Sequence, residues 1–261
     1  MSTTGKRLQG RLALITGGGA GIGAASALAF AGEGASVLLV DRDPAALERT
    51  VDAVKEAVPG ARCIVFAGDI AEEATAQNAV HMAQAEFGGL DALVNNAAMR
   101  IHKPLNDASP ADWQAITGVN IIGMANFCRA AMPLLRASGR GSVVNVSSCY
   151  AVVGRKGLGL YDATKAAILS ITRTLAFEEA ASGVRINAVC PGSTLTDFHL
   201  GRARAQGKDV EVLKTERNTT SLIGRWAEPQ EIALPILWLT SGEASFITGA
   251  SLMVDGGLSI M

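Results

Sequence analysis

The chain contains 261 residues, a length that accommodates one large domain or two small ones. Apolar residues form 49% of it and charged residues only 18%, which excludes an intrinsically disordered protein. Because 23 basic side chains nearly balance 24 acidic ones, the net charge is −1, and no overall charge attracts nucleic acid or an anionic membrane.

Seven short apolar runs, each preceded by turn residues, predict the strands of a sheet. They cover residues 12–15, 37–40, 63–66, 92–94, 143–146, 186–189 and 252–254. Most are rich in Val, Ile and Leu and do not alternate with polar residues, which is typical of strands buried on both faces of a parallel sheet.

Helical patterns lie between these runs, at about residues 21–32, 44–57, 72–87, 110–136, 159–181 and 228–240. The alternation predicts one Rossmann-type α/β domain over residues 1–261, with a doubly wound, seven-stranded parallel sheet and helices on both faces. Pro133 and Pro235 lie within helical patterns and predict kinks or early helix ends there.

A glycine-rich loop with the sequence TGGGAGIG occupies residues 16–23, between the first strand and the first helix. Glycine permits the tight turn, and backbone N–H groups at a helix N-terminus bind pyrophosphate well. The predicted cofactor contacts in the loop are Gly17, Gly19, Gly21, Ile22 and Gly23.

An acidic residue, Asp41, ends the second predicted strand, 18 residues after Gly23. A carboxylate at this spacing can accept both ribose hydroxyls of adenosine, and it would repel a 2′-phosphate, so NAD is favoured over NADP. Arg42 complicates this prediction because its charge could partly offset the repulsion. A turn residue before Pro44 is the alternative interpretation of Asp41.

The third and fourth predicted strands end in residues that suit the adenosine half of a dinucleotide. Asp69 could hold the adenine edge while Ile70 packs on the ring, although a plain helix cap is a serious alternative for Asp69. The fourth strand ends in NNAA at residues 95–98, where small residues leave room for a ribose. Asn95 and Ala97 are the predicted contacts there.

Residues 193–225 are polar and interrupt the alternation between the sixth and seventh strands. A long insertion beyond the carboxyl ends of the strands predicts a substrate lid. The alternative interpretation is a solvent-exposed surface segment.

Tyr161 and Lys165 stand four residues apart at the start of a helical pattern, so their side chains share one face of the helix. A free tyrosine titrates near pH ~10, and a nearby ammonium lowers that value, so such a Tyr can exchange protons near neutral pH. A Tyr and a Lys four residues apart often occur by chance, so the pair alone is weak evidence for this role. Ser148 lies 13 residues before Tyr161, and Asn120 lies in the long helical pattern before the fifth strand.

Together, these elements resemble the short-chain dehydrogenase/reductase family in its single-domain branch, and the resemblance covers essentially the whole chain. The matching elements, in the family's order, are Gly17, Gly21 and Gly23, Asp69, residues 95–97, Asn120, Ser148, Tyr161 with Lys165, Pro191 with Gly192, Thr196 and residues 255–257.

The resemblance implies a role for each reacting group. Tyr161 is expected to be the general acid/base, and Lys165 to lower its pKa and hold the nicotinamide ribose. Ser148 is expected to hydrogen-bond the substrate oxygen, and Asn120 to anchor a water that links Lys165 to solvent. Ser148 is preferred to Ser147 because family members usually have 13 residues between this serine and the tyrosine.

The same resemblance places a further group of residues beside the nicotinamide, with Thr196 meeting its carboxamide. These residues are Pro191, Gly192, Thr194 and Thr196. The implied reaction is hydride transfer between NAD and a secondary alcohol, which includes alcohols, diols, sugars and hydroxy acids. The alternative is an NADP-preferring 3-oxoacyl or ketone reductase, against which Asp41 and the absence of a basic residue in the glycine loop both count. A more remote alternative is a nucleotide-sensing regulator without turnover.

The substrate contacts expected besides Ser148 and Tyr161 are His102, Tyr150 and Arg155. Basic residues in the segments expected around the pocket favour an anionic substrate; they are Arg100, His102, Arg155, Lys156, His199, Arg202 and Arg204. The same residues would also suit exposed loops that face water, and this second interpretation is preferred. No second ligand stands at a useful spacing from His102 or His199, so no metal site is expected.

Two helical patterns, at residues 110–136 and 159–181, are apolar on more than one face, which indicates a further packing partner. Since many family members assemble through these helices, a homotetramer is expected, with a dimer as the alternative. Short apolar stretches, a polar N-terminus unlike a signal peptide and four scattered cysteines predict a cytoplasmic protein.

Overall fold

The computed structural model describes residues 6–205, 207, 209–215 and 217–261. Its strands are β1 (Leu12–Thr16), β2 (Ser36–Asp41), β3 (Cys63–Ala67), β4 (Ala92–Asn95), β5 (Ser142–Val146), β6 (Arg185–Pro191) and β7 (Ser251–Val254). All neighbours pair in parallel, in the order β3-β2-β1-β4-β5-β6-β7. The chain winds outward from β1 to β3, then from β4 to β7, so the order reverses between β1 and β4. A ligand crevice is expected at the carboxyl ends of the strands beside this point.

The helices are α1 (Gly21–Gly32), α2 (Pro44–Ala57), α3 (Glu73–Phe87), α4 (Pro110–Thr117), α5 (Met124–Ala137), α6 (Gly159–Glu178), α7 (Asp197–Ala205), α8 (Val210–Thr215) and α9 (Pro229–Thr240). One core cluster packs α1, α2 and α9 on one face of the sheet, and a second packs α3, α5 and α6 on the other. The predicted doubly wound fold is therefore confirmed. Every helix in the described ranges is too short or too polar to span a bilayer.

The long helix predicted over residues 110–136 is interrupted. Between α4 and α5 the chain forms a π-helical turn over Gly118–Gly123, which carries the buried Asn120. A π turn adds a residue to the helical ring without breaking the helix, so the apolar pattern barely registers it. Such turns often occur at functional sites.

Kinks or early helix ends were expected at the two internal prolines, and the early ends do not occur. Pro133 and Pro235 lie inside α5 and α9, which continue to Ala137 and Thr240. Each proline removes one backbone hydrogen bond close to the last turn, and the buried side chains that follow it, such as Leu135, hold the turn in place by packing.

The predicted lid, residues 193–225, contains α7 and α8 and leaves the sheet after β6. Residues 206, 208 and 216 of this segment lie outside the described residues. At the base of the segment, Thr194 and Ala227 form an isolated parallel bridge, and the Leu195 N–H donates to the Ala227 carbonyl at 2.9 Å. The segment is thereby tied to the chain just before α9, and its movement as a lid remains a prediction.

Candidate active site

A cavity of about 490 Å³ opens at the carboxyl ends of β1 to β6, beside the point where the strand order reverses. It is lined by most of the residues predicted from sequence: Gly17, Gly21, Ile22, Asp41, Arg42, Asp69, Ile70, Ala97, Ser148, Tyr161, Lys165, Pro191, Gly192, Thr194 and Thr196. It is also lined by Ala20, Gly68, Asn96, Ala98, Met99, Arg100, Val119, Val146, Ser147 and His199, which the predicted contacts did not include.

The glycine loop is shaped by positions where a side chain has no room. A β-carbon at Gly17, whose φ is +66°, would lie 2.7 Å from the Asn96 amide nitrogen. One at Gly19 would lie 2.8 Å from the Ala46 β-carbon, and one at Gly23 would overlap the Gly17 carbonyl oxygen. The loop therefore presents bare backbone at the N-terminus of α1, which is a cradle that fits the pyrophosphate of a dinucleotide.

Asn96 fixes the glycine loop to the end of β4. Its side-chain nitrogen donates to the carbonyls of Thr16 and Gly17 at 3.0 and 3.1 Å, and its backbone N–H donates to the Thr16 hydroxyl at 3.0 Å. Its neighbour Asn95 is buried on the opposite side and donates to Asn145 at 2.9 Å. The structure thus does not bring Asn95 to the cavity, because successive side chains of a strand point in opposite directions.

The adenosine end of the cavity is formed by the ends of β2 and β3. Asp41 accepts hydrogen bonds from the backbone N–H groups of Gly19, at 3.1 Å, and Asp43, at 3.2 Å. Arg42 is exposed beside it. Asp69 accepts from the Ala71 N–H at 2.9 Å in a local turn. Both carboxylates line the cavity, where each can accept a hydroxyl or amine of a bound nucleoside.

Tyr161 and Lys165 lie on the first two turns of α6, and both are buried. The Lys165 ammonium lies 5.4 Å from the centroid of the Tyr161 ring and donates to the Val146 carbonyl at 2.7 Å. Arg100 adds a second cation, with its guanidinium carbon 4.8 Å from the same centroid. The phenol therefore has two positive charges close to it.

Opposing effects set the acidity of this phenol. Burial alone would raise the pKa of Tyr161, but the charges of Lys165, Arg100 and Arg155 outweigh burial and lower its pKa below the ordinary value. Burial also lowers the pKa of Lys165, against the favourable pull of the tyrosine. A buried phenol with a lowered pKa beside an ammonium is equipped to exchange a proton with a ligand.

The two serines after β5 have different partners. The Ser147 hydroxyl donates to the Lys165 carbonyl at 2.7 Å and so holds α6 against the strand. The Ser148 hydroxyl accepts from the Tyr150 N–H at 3.2 Å, which leaves its own proton to donate. Ser148 is therefore the better placed of the two to bind a substrate oxygen.

The side chain of Asn120 joins the loop after β4 to α6. Its oxygen accepts from the Met99 N–H at 2.8 Å, and its nitrogen donates to the Met99 carbonyl and to the Thr164 hydroxyl, both at 3.0 Å. These bonds fix the loop beside the tyrosine. The water that the resemblance places between Asn120 and Lys165 remains a prediction.

The predicted substrate contacts are not all on the cavity wall. The Arg155 guanidinium lies 3.6 Å from the centroid of the half-buried Tyr150 ring and bonds the carboxylate of Asp162, at 2.9 Å for its closest contact. Neither Arg155 nor Tyr150 lines the cavity, and His102 is exposed outside it. In the described part of the chain, no group of three His, Cys, Asp or Glu residues is placed to hold a metal ion.

Arg100 and His199, two of the basic residues that the sequence places around the expected pocket, lie at this end of the cavity. Arg100 Nη1 is 3.1 Å from His199 Nε2, and His199 Nδ1 is 3.0 Å from the Thr196 hydroxyl. Arg100 stands in the loop after β4, and His199 lies in the first turn of α7. The chain of contacts connects the tyrosine, through Arg100, to α7.

Comparison with known proteins gives matches along nearly the full chain. A family profile described as "Enoyl-(Acyl carrier protein) reductase" matches residues 17–259. Short chain dehydrogenase/reductase astE of Aspergillus oryzae is 35% identical over 97% of this chain and 97% of its own length. Cis-4-hydroxycyclohexanecarboxylate dehydrogenase of Sinomonas cyclohexanicum is 37% identical over 97% of this chain and 98% of its own.

Solved structures agree in fold over the same extent. L-Sorbose reductase from Gluconobacter frateurii, in complex with NADPH and L-sorbose, is 31% identical and superposes with a TM-score of 0.92. The match covers 98% of this chain and 99% of that one.

Proposed function

Because the chain belongs to the short-chain dehydrogenase/reductase family, we propose that it is an NAD-dependent enzyme that interconverts a secondary alcohol and its ketone, with Tyr161 as general acid/base. The observation that carries the proposal is the position of Tyr161, Lys165 and Ser148 in the same cavity as the glycine loop. The alcohols considered are simple alcohols, diols, sugars and hydroxy acids.

The cofactor would be held along the length of the cavity. The glycine loop would bind its pyrophosphate, Asp41 the adenosine ribose, Asp69 with Ile70 the adenine, and Lys165 the nicotinamide ribose. The residues after β6, from Pro191 to Thr196, would lie against the nicotinamide. When bound, the nicotinamide supplies hydride transfer to or from the carbinol carbon.

The chain's own residues handle the proton. In alcohol oxidation the Tyr161 phenolate accepts the hydroxyl proton, and in ketone reduction the neutral phenol donates one to the developing alkoxide. Lys165 and Arg100 stabilise the phenolate because both place positive charge beside it. Ser148 donates a hydrogen bond to the same substrate oxygen, where negative charge develops.

The preference for NAD rests on Asp41, whose carboxylate would repel a 2′-phosphate. An NADP-preferring ketone or 3-oxoacyl reductase is the second candidate, favoured by exposed Arg42 and by the NADPH bound to the sorbose reductase relative. The glycine loop counts against it, since a side chain at Gly18 or Gly19 would meet Leu39 or Ala46 within 3 Å.

We further propose a cytoplasmic homotetramer. Phe177 on α6 and Phe246 before β7 are 87% and 102% exposed, and exposed apolar residues of this size favour burial against another subunit. All four cysteines are buried free thiols, which suits a reducing compartment. Light scattering on the eluting protein tests the assembly, and a monomer would contradict it.

The experiment that tests the function compares wild-type protein with Tyr161→Phe. Wild type should oxidise members of a panel of secondary alcohols with NAD, while the variant should lose turnover and still bind NADH in a fluorescence titration. A variant that keeps turnover would refute the role of Tyr161. Titration of wild type with NADH and NADPH tests the preference, and equal or tighter NADPH binding would favour the second candidate.

A further inference from the structure

Arg100 lies at the reacting end of the cavity. Its guanidinium carbon lies 4.8 Å from the centroid of the Tyr161 ring, and its Nη1 lies 3.1 Å from His199 Nε2. A substrate oxygen held by Tyr161 therefore lies beside the guanidinium as well. An arginine has five N–H donors, so Arg100 would be a ready partner for an anionic group close to the reacting carbon of a substrate.

The backbone that carries Arg100 is fixed rather than loosely placed. The preceding residue, Met99, is bonded through both its N–H and its carbonyl to the side chain of Asn120, which is 1% exposed. Asn120 also bonds Thr164 on α6, the helix of the catalytic tyrosine. Arg100 is thus positioned by the same buried amide that positions Tyr161, which is how a specificity contact is made precise.

Charge is distributed unevenly along the cavity. Among the described residues that line it, the carboxylates are Asp41 and Asp69, which both follow strands at the adenosine end. The reacting end has Lys165 and Arg100. Asp162, next to Tyr161 in sequence, is already bonded by Arg155 through Nε and Nη2. The reacting end therefore carries an excess of positive charge, which favours an anionic ligand.

We propose that Arg100 binds the carboxylate of the substrate, so that the enzyme acts on hydroxy acids whose acid group lies one or two carbons from the carbinol. This inference rests on the proposed function and narrows it to one substrate class. A guanidinium binds a carboxylate through two parallel hydrogen bonds, so the contact would fix the orientation of the carbinol as well as add affinity.

The test uses matched pairs of alcohols that differ only in charge, such as 3-hydroxybutyrate and 3-hydroxybutyramide. Wild type should prefer the acid in kcat/KM by about 10- to 100-fold, the range of one charge-assisted contact. Arg100→Met should remove that preference mainly through KM. Lys103→Met removes a positive charge from the same loop, where Lys103 bonds Asp112 at 2.6 Å, and should keep the preference.

The outcomes separate the inference from the proposed function. Turnover of the amide at least as well as the acid would overturn the inference and leave the function standing. An equal loss for both members of the pair in Arg100→Met, with a displaced pH profile, would assign Arg100 to Tyr161 alone and also overturn it. If neither alcohol reacts, calorimetry measures the binding of acetoacetate to the NADH-loaded Tyr161→Phe variant. Binding that disappears when Arg100→Met is added to this variant supports the anion contact. No binding of acetoacetate refutes it.

Discussion

Asp197 and the cofactor are expected to compete for one backbone donor. The carboxylate of Asp197, the first residue of α7, accepts a hydrogen bond from the Gly21 N–H at 3.0 Å. That N–H belongs to the first turn of α1, where the pyrophosphate is expected to bind. Asp197→Asn removes the negative charge and keeps the size of the side chain, so NADH should bind more tightly to the variant.

The expected gain in NADH affinity depends on how exposed Asp197 is. A hydrogen bond between buried charged and neutral groups contributes about 1.5–3 kcal/mol, but exposed charged contacts contribute about 0–1 kcal/mol. Asp197 is exposed, so the change should be about 1 kcal/mol, or about fivefold in the dissociation constant of NADH. The difference should shrink as salt is added, because mobile ions screen exposed charges.

The assay is fluorescence titration of NADH at low and high ionic strength. Asp209→Asn is the matched control, since Asp209 is an exposed acid of the same segment that caps α8 through the Glu211 N–H at 2.8 Å. The control should bind NADH like wild type. NADH affinity in Asp197→Asn that equals or falls below the wild-type value would refute the competition.

Three further changes test the cradle and the acid/base group. Gly23→Ala places a β-carbon against the Gly17 carbonyl and should lower the free energy of unfolding by more than about 2 kcal/mol. Gly32→Ala on the same helix is the control: its β-carbon has no atom within 4 Å, so the free energy of unfolding should rise by about 0.5 kcal/mol. Urea denaturation measures both, and equal losses would contradict the steric reasoning. Asp41→Ser removes the acceptor of the ribose hydroxyls and should weaken NADH binding about tenfold relative to NADPH; an unchanged ratio in parallel titrations would count against that role. Lys165→Met removes a charge that lowers the pKa of Tyr161, so this pKa should rise. Oxidation needs the phenolate, so activity is lost as pH falls through that pKa. At saturating NAD, the acid limb of the pH profile of kcat/KM should therefore move to higher pH in the variant. An acid limb at the wild-type pH would refute the effect of Lys165 on Tyr161.

The sheet and the family were predictable because buried parallel strands leave a plain signal. Each predicted strand lies within about two residues of the observed one, and the functional motifs follow strand ends, which parallel pairing gathers at one edge. The π turn at Gly118–Gly123 was not predictable, since one extra residue hardly alters an apolar pattern. The ends expected at Pro133 and Pro235 failed because tertiary packing outweighed the local preference of proline.

At the site, side-chain direction and loop conformation could not be predicted from the sequence. Asn95 and Asn96 are adjacent and chemically identical, and only the strand's orientation decides which one faces the cavity. Arg100, in the loop after β4, and His199, in α7, are almost a hundred residues apart, and only the folded chain brings their side chains to 3.1 Å. Motifs therefore predicted most of the residues that line the cavity, but not the contact between Arg100 and His199.

The three hydrogen bonds of the Asn120 side chain connect the loop at Met99 to α6, the helix that carries Tyr161. Opening the loop at Met99 breaks two bonds of the Asn120 side chain, whose third bond holds Thr164, so opening of the loop should also speed amide exchange in the first turns of α6. A substitution that loosens the loop to admit a bulkier alcohol should thus speed amide exchange in the first turns of α6. A change in substrate range at this loop would then also lower the local stability of the helix turn that carries Tyr161. Evolution of a new specificity here is therefore limited by the need to keep Tyr161 in place.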